Sequence, residues 1–508
     1  AMERANGPAV VAIAAWKRLD EAHRALGEVL DLLGGLEQYV GGARSVVIKP
    51  NLTDGAHPRT GGTTHPELVA ALVERLLALG VRDITVAEGT MAPMGLMPVY
   101  RGLGYVERLE RYGVRFVDLE HDQRVEVSVP DPVYPGVLAY PRTLLDADAY
   151  ITVPVLKTHA QFAITVAIKN AFGLLDTASR IRVHREYRVD EAIVDINRIR
   201  PPDLIVVDGY DGAEGIAGGT DFTRPAGARL IMAGADCVAI DRVAARIMAQ
   251  NPNLRALDWA AAAGLGQGDL ARIATRGLPR WAAQRDFMTP AEALMEEMGN
   301  LTIVDLDSDS GTRCAVISSL ARYEYMKLAR PLTIVIGDRG RVPEAPEGGE
   351  LALVGDAAAR LPAGDDATRI SGDPPDQESL HRFYRERGLL CTRCHEVTRQ
   401  ALAGIAGHAM EPMLRVLCGG EDVHTGAGTS RSHTDLTLLV GDCMARYCRN
   451  VTDRVQQILA LDDLPFLAYV PGCPPPLEEV EADLARLRAE FARRSEHDVA
   501  AEGSAPAR

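Results

Sequence analysis

Two groups of residues in this chain have the types and spacing to do chemistry. The first is a set of thiols: Cys391 and Cys394 in "CTRC", followed by Cys418, Cys443, Cys448 and Cys473. A C-x-x-C at a helix start brings two thiolates to one side, where the helix N-terminus stabilises negative charge. Two more thiolates from neighbouring strand ends complete a four-cysteine set, which suits a cubane iron–sulfur cluster or zinc. Zinc ribbons pair two close C-x-x-C knuckles, whereas the last two thiols here are single and strand-borne, which favours the cluster. Cys237 and Cys314 read as buried and unligated. Cys418 and Cys448 read as core or supporting residues, and are the substitutes should one of the four not be a ligand.

The second group is cationic. Lys49 and Asn51 end one apolar run, Glu88 ends the next, and Lys157 and His159 end another; Lys169 and Asn170 follow, then His184 inside "SRIRVHREYR", and Glu214 after Asp208-Gly209. In a chain of net charge −15 these strand ends concentrate Lys, Arg and His. Such a rim attracts a carboxylate or phosphate through charge-assisted hydrogen bonds. Lys157 and Lys169 would clamp anionic oxygens, and His159 or His184 would give or take a proton, since His titrates near neutrality. The candidate catalytic residues are therefore Lys157, His159 and His184. The candidate substrate-binding residues are Lys49, Asn51, Glu88, Lys169, Asn170 and Glu214. Glu88, Glu214 and Asp241 are either acid partners or groups that cap and orient their neighbours.

Positioning these residues requires an α/β framework. "SVVIKPNL" (45–52), "DITVAEGT" (83–90), "VRFVDL" (114–119), "AYITVPVL" (149–156) and "DLIVVDGY" (203–210) are short β-branched runs. Helical patterns such as "HPELVAALVERLLALG" (65–80) and "CVAIDRVAARIMAQ" (237–250) accompany them. Near-continuous apolar strands alternating with helices predict a mostly parallel sheet covered on both faces, with its ligand site beyond the carboxyl ends of the strands.

The second half of the chain repeats itself. "TRCAVISSLA" (312–321), "RPLTIVIGDRG" (330–340), "LALVGDAAAR" (351–360) and "RISGDPPD" (369–376) recur in order as "TRCHEVTRQALAG" (392–404), "EPMLRVLCGGED" (411–422), "LTLLVGDCMAR" (436–446) and "AYVPGCPPP" (468–476). This predicts a pseudo-duplicated α/β pair. In the first copy Ala357 and Asp373 stand where the second has Cys443 and Cys473. The expected organisation is an α/β substrate-binding domain over 1–285, a half-repeat lacking the cysteine set over 286–380, a half-repeat with the four-cysteine cluster site over 381–477, and a helix and tail over 478–508.

Taken together, "VVIKPNL", "TTHPELV", "VAEGT", "VPVLKTH", "AIKNAFGLL", "IVVDGYDGAEG" and "AGADCVAIDRVAARIM" resemble the domain-of-unknown-function 362 family, described as iron–sulfur-containing, over about residues 40–280. More distantly, this α/β domain is similar to that of nickel-dependent lactate racemases. "CTRC … VGDC … PGCPPP" resembles the proximal-cluster frame of nickel–iron hydrogenase small subunits and the related quinone-oxidoreductase subunit, with Arg393 where glycine is usual. That resemblance implies one [4Fe–4S] held by Cys391, Cys394, Cys443 and Cys473.

Composition excludes other classes. Acidic balance argues against a nucleic-acid partner. No apolar run of transmembrane length and no signal-peptide pattern is seen, so the expected location is the cytoplasm, where cysteines are ligands, reactive thiols or core residues sooner than disulfides. "GGLEQYVGG" (34–42) is not a dinucleotide fingerprint, and no Walker loop, H-E-x-x-H or G-x-S-x-G occurs. The expected function is an iron–sulfur-dependent enzyme, an oxidoreductase acting on a small anionic substrate, with a ferredoxin- or flavodoxin-type electron donor. The alternatives are a redox-neutral isomerase or lyase with a structural or Lewis-acid cluster, and a non-enzymatic electron carrier; a pure carrier would not need the basic rim.

Overall fold

Val46 and Ile48 belong to one buried core and Val47 to another, on opposite faces of the same strand. A strand covered on both faces has no solvent side, so its sequence is apolar throughout. A computed structural model of the chain describes residues 9–53, 55–89, 95–159, 162–186, 188–216, 224–306, 310–321, 328–372, 375–387, 389, 414–418, 421–422, 436–440, 467–471, 475–487 and 489. The chain divides into two units, Ala1–Glu292 and Ala293–Arg508.

The first unit contains β1 (Ala9–Ala15), β2 (Ser45–Pro50), β3 (Asp83–Glu88), β4 (Arg115–Asp118), β5 (Arg124–Val127), β6 (Leu138–Pro141), β7 (Ala149–Val153), β8 (Val155–His159), β9 (Ala163–Thr165), β10 (Leu204–Ala213), β11 (Leu230–Gly234) and β12 (Ile273–Gly277). The main sheet has the order β12-β1-β11-β10-β7-β2-β3-β4, with β8 branching from β10 and β9 pairing β8. Along that order all neighbours are parallel except β11, which is antiparallel to both β1 and β10. The fold is α/β and mostly parallel, as the alternation of apolar runs and helices predicts. From β2 the chain winds outward through β3 and β4, then returns to lay β7 against the other side of β2. The β2/β7 boundary is thus a topological switch point, the place where open parallel sheets open a crevice at their carboxyl ends.

The run 149–156 is two strands, not one. Pro154 interrupts it: proline offers no N–H to a ladder, and its carbonyl accepts instead from Asp208 N at 2.8 Å. The chain then leaves the main ladder as β8 and turns back in the short hairpin with β9, pairing Lys157 with Thr165 and His159 with Ala163. Ala163 takes φ +59°, a left-handed value a non-glycine residue adopts only where its surroundings impose it.

In the second unit β13 (Leu301–Leu306), β14 (Leu332–Gly337), β15 (Glu350–Val354) and β16 (Thr368–Ile370) form one parallel sheet in chain order. A second sheet holds β17 (Leu414–Cys418), β18 (Glu421–Asp422), β19 (Leu436–Val440) and β20 (Leu467–Val470) in the order β18-β17-β19-β20. Its β17, β19 and β20 are parallel, and β18 is antiparallel to β17. In the first sheet Ile336, Val354 and Ile370 lie in one row; in the second Cys418, Val440 and Val470 do. After Val354 the chain turns through Gly355 at φ +93°, and Asp356 Oδ1 accepts from Gly372 N at 2.8 Å. The "VGD" of the first copy therefore ties two neighbouring strand-end turns together.

Candidate functional site

The residues at the switch point assemble into one buried polar network. Lys49, at the carboxyl end of β2, places Nζ 2.7 Å from Glu88 Oε1 at the end of β3, with both side chains about as buried as side chains become (1% and 2% exposed). Glu88 also accepts from Leu52 N at 3.1 Å and Gly89 N at 2.8 Å. Burial pushes the Lys49 amine below its ordinary range, and the Glu88 carboxylate opposes that. Lys157 Nζ donates to Asn51 Oδ1 at 3.1 Å and to the Gly62 carbonyl at 2.9 Å. Asn51 Nδ2 donates to Asn170 Oδ1 at 3.0 Å, and Asn170 Nδ2 donates to Thr152 Oγ1 at 2.8 Å on β7. Lys49, Asn51, Glu88, Lys157 and Asn170 are thus brought together, drawn from β2, β3, β8 and the helix Ala167–Asn170. Lys49 and Lys157 sit inside this network and not at a solvated rim, because each has protein oxygens in reach that take the place of water.

Glycine closes the roof. A Cβ on Gly173 would lie 2.6 Å from Glu88 Oε1 and 3.0 Å from Lys49 Nζ, and one on Gly89 would lie 2.4 Å from the Gly173 carbonyl. Arg180 reaches over the same turn, donating to Gly89 O at 2.9 Å while pairing with Glu120 at 3.1 Å.

Lys169 differs from the other two lysines. It is half-buried on the helix Ala167–Asn170, its Nζ 4.9 Å from the centroid of Phe162 and 5.7 Å from that of Phe172. No carboxylate lies within 4 Å of it among the described residues. Burial, and then the like charge of Lys157, lower its pKa to about 7. His159 is buried at the end of β8, with its ring edge-on to Phe162 at 5.3 Å. His184 falls in the helix Thr177–Arg185, and its side chain lies outside the described residues. Glu214 turns to the chain segment after Phe287, accepting from Met288 N at 2.9 Å. Cys391, Cys394, Cys443 and Cys473, with Cys448, also lie outside the described residues, and among those described no group of three His, Cys, Asp or Glu is placed to hold a metal ion. Cys237 is buried, and burial raises its thiol pKa far above the ordinary value.

Asp241 is a cap. Its carboxylate accepts from Ala167 N at 2.7 Å and Ile168 N at 3.1 Å, which holds the first turn of the helix bearing Lys169 and Asn170. Burial outweighs those two bonds and raises its pKa to about 7. A carboxyl raised in the folded state binds its proton more tightly there than in the unfolded chain, so its contribution to stability is largest below about pH 4 and declines as pH rises to 7. The stability of the wild-type chain relative to Asp241→Asn should therefore fall by about 4 kcal/mol between pH 4 and 7, measured by urea titration at each pH. A difference independent of pH would mean that Asp241 is not protonated in the fold.

Strand-end reasoning missed a neighbouring cluster. His65 begins the helix Pro66–Ala78, and its Nδ1 lies 2.9 Å from Asp208 Oδ2 and its Nε2 3.1 Å from Asp211 Oδ2. The ring packs edge-on to Trp16 and Tyr210 at 5.8 and 5.2 Å. Arg229 pairs with the other oxygen of Asp211 at 2.9 Å and covers the Tyr210 ring at 4.0 Å. His65 lies beyond a loop following β2 instead of at a strand end; the signal was the His-Pro step opening a helix in "TTHPELV".

The chain has known relatives. The chain is 28% identical over 239 residues to the thylakoid-associated protein sll1697 of Synechocystis sp., covering 45% of this chain and 70% of that protein. The lactate racemase apoprotein of Thermoanaerobacterium thermosaccharolyticum superposes with a TM-score of 0.33 at 10% identity, over 67% of this chain and 71% of that one, a likeness too slight to bear on function. No helix among the described residues is long and apolar enough to cross a membrane. Residues 46–246, which carry the whole switch-point network, match the family model of the domain of unknown function DUF362.

Proposed function

We propose that this chain is an iron–sulfur-dependent enzyme, an oxidoreductase of the cytoplasm, that acts on a small carboxylate- or phosphate-bearing substrate at the Lys49/Lys157/Lys169 network. The observation that carries the reading is Lys169: a half-buried cationic group at a sheet switch point, beside the buried Lys157, with no carboxylate within 4 Å among the described residues. An anion is the group that such a place lacks. His159, beside the same Phe162 ring, is the proton donor or acceptor.

The strand register supports a cysteine-held group in the second unit. Val440 and Val470 are paired neighbours on parallel strands, and the chain reaches a cysteine three residues after each, Cys443 and Cys473. Val354 and Ile370 are paired in the same way in the preceding sheet and are followed at the same distance by Ala357 and Asp373. The shared rows favour a duplication in which the second copy kept the ligands. Four thiolates from Cys391, Cys394, Cys443 and Cys473 suit one [4Fe–4S] cluster, which when bound passes one electron at a time. A ferredoxin- or flavodoxin-type protein would supply that electron.

Anaerobic purification tests this. The expected result is iron and sulfide in equal amounts, close to four of each per chain, with the broad visible absorption of a cluster. Cys443→Ala should lose most of the iron, and Cys314→Ala should keep it. Zinc in place of iron would overturn the redox reading. Full iron in Cys443→Ala would move the ligand role to Cys448 or Cys418.

A further inference from the structure

Four buried threonines around the switch point spend their hydroxyls on the protein. Thr63 Oγ1 donates to the Ala56 carbonyl at 2.7 Å, Thr64 Oγ1 to the Val153 carbonyl at 2.7 Å and Thr158 Oγ1 to the Gly215 carbonyl at 2.8 Å. Thr152 Oγ1 accepts from Asn170 Nδ2 at 2.8 Å. Thr165 departs from this pattern. It is 3% exposed, and its Oγ1 is buried with no hydrogen-bond partner among the described residues. A buried hydroxyl without a partner costs free energy, and native structures retain few of them. Strand geometry does not ask for it. Valine has nearly the same outline, suits a strand at least as well and brings no polar atom. The hydroxyl is the part of Thr165 that the fold does not use.

In the hairpin, β9 runs antiparallel to β8 and Thr165 stands directly opposite Lys157. Directly opposed residues put their side chains on one face, with Cβ atoms about 5 Å apart. His159, two residues along β8, shares that face with Lys157. Opposite His159 is Ala163, half-buried and with only a methyl group. Thr158 and Ile164 form the pair between and take the other face. One side of the hairpin therefore gathers an ammonium, an imidazole and a hydroxyl with no partner among the described residues. A hydroxyl donates one hydrogen bond and accepts two. Beside a cation, the partner it lacks is an acceptor that is itself negative. We infer that Thr165 is a substrate-binding residue, whose hydroxyl donates to an oxygen of the carboxylate or phosphate drawn in by the charge of Lys157. This deepens the anion-site reading above and rests on it.

The test uses the full chain with its metal content as isolated. The wild type, Thr165→Val and Thr165→Ser are melted in rising concentrations of inorganic phosphate and, separately, of acetate, at constant ionic strength. An anion that binds only the folded chain raises the melting temperature by mass action. Without either anion, Thr165→Val should melt no lower than the wild type, because it exchanges an unpartnered hydroxyl for a methyl group. The same variant should need about ten times more anion, or more still, for the same rise in melting temperature, the loss of one charge-assisted hydrogen bond. Thr165→Ser keeps the hydroxyl and should need within about threefold of the wild-type concentration, whatever its own stability. The anion that shows the difference between wild type and Thr165→Val identifies the group, phosphate or carboxylate. A Thr165→Val chain that melts several degrees lower without anion, or does not fold, means that the hydroxyl is held inside the protein, directly or through a buried water, and overturns the assignment. Equal anion requirements in wild type and Thr165→Val overturn it while leaving the anion site standing. A wild type stabilised by neither anion overturns the anion site, and this assignment with it.

Discussion

Replacing Glu88 by alanine should destabilise the first unit by about 3–5 kcal/mol, the cost of leaving a buried charge without its partner. Lys49 is 1% exposed and 2.7 Å from the Glu88 carboxylate, so no water is at hand to take that place. The same substitution removes the acceptor for Leu52 N and Gly89 N, the backbone that leads out of β2 and β3 at the site. Burial already pulls the Lys49 amine down, and removing Glu88, which opposes that, should lower it further. Urea titration should show the midpoint falling with little change in slope. Glu88→Gln keeps the shape and an acceptor, and should cost less than Glu88→Ala. The double variant Lys49→Met/Glu88→Leu should recover much of the loss, because an apolar pair does not carry the desolvation cost that each lone charge does. If Glu88→Ala and the double variant lie within about 1 kcal/mol of each other, the pair is not coupled.

The second large effect is expected at His65. Burial opposes its protonation, but the charges and hydrogen bonds of Asp208 and Asp211 outweigh burial and raise its pKa to about 10. The unfolded-state value is 6.5. Because the folded value is the higher one, the stabilisation is fully present below pH 6.5, declines as pH rises from there, and is gone above about pH 10. At pH 7 it is on the order of 4 kcal/mol. The wild-type chain should therefore lose melting temperature steadily between pH 7 and 10. His65→Gln and Asp208→Asn should each be strongly destabilised at pH 6 and show a much flatter profile. Deprotonation leaves the ring one donor for the two carboxylates of Asp208 and Asp211, while His65 N keeps its bond to Asp208. A wild-type profile as flat as that of the variants would show that His65 is neutral.

Much of this arrangement is legible from local pattern. The runs 45–52, 83–90, 114–119 and 203–210 are strands within two or three residues of their apolar limits; for all but the edge strand at 115–118, burial on both faces leaves little freedom to be polar. Helix 65–80 and the Asp241 helix follow from periodicity in the same way. The rule that ligands collect at strand carboxyl ends led to Lys49, Asn51, Glu88 and Lys157 with no knowledge of strand order. The repeat, and the cysteines that distinguish its copies, are likewise matters of sequence alone. Order and partnership are not. Nothing local says that β7 lies beside β2, that β11 runs against its neighbours, or that Pro154 splits one apolar run into two strands. Those depend on contacts beyond the reach of any local pattern, from Gly209 with Leu230 across β10 and β11 to Lys157 with Asn51, 106 positions apart. The same holds for the chemical state of each group. Lys49, Lys157 and Lys169 are the same residue type at similar strand-end positions, yet one is an ion-paired core residue, one a bridge between turns and one a half-open amine. The difference lies in which oxygens, rings and charges the fold brings within a few ångströms, and in how much water it removes.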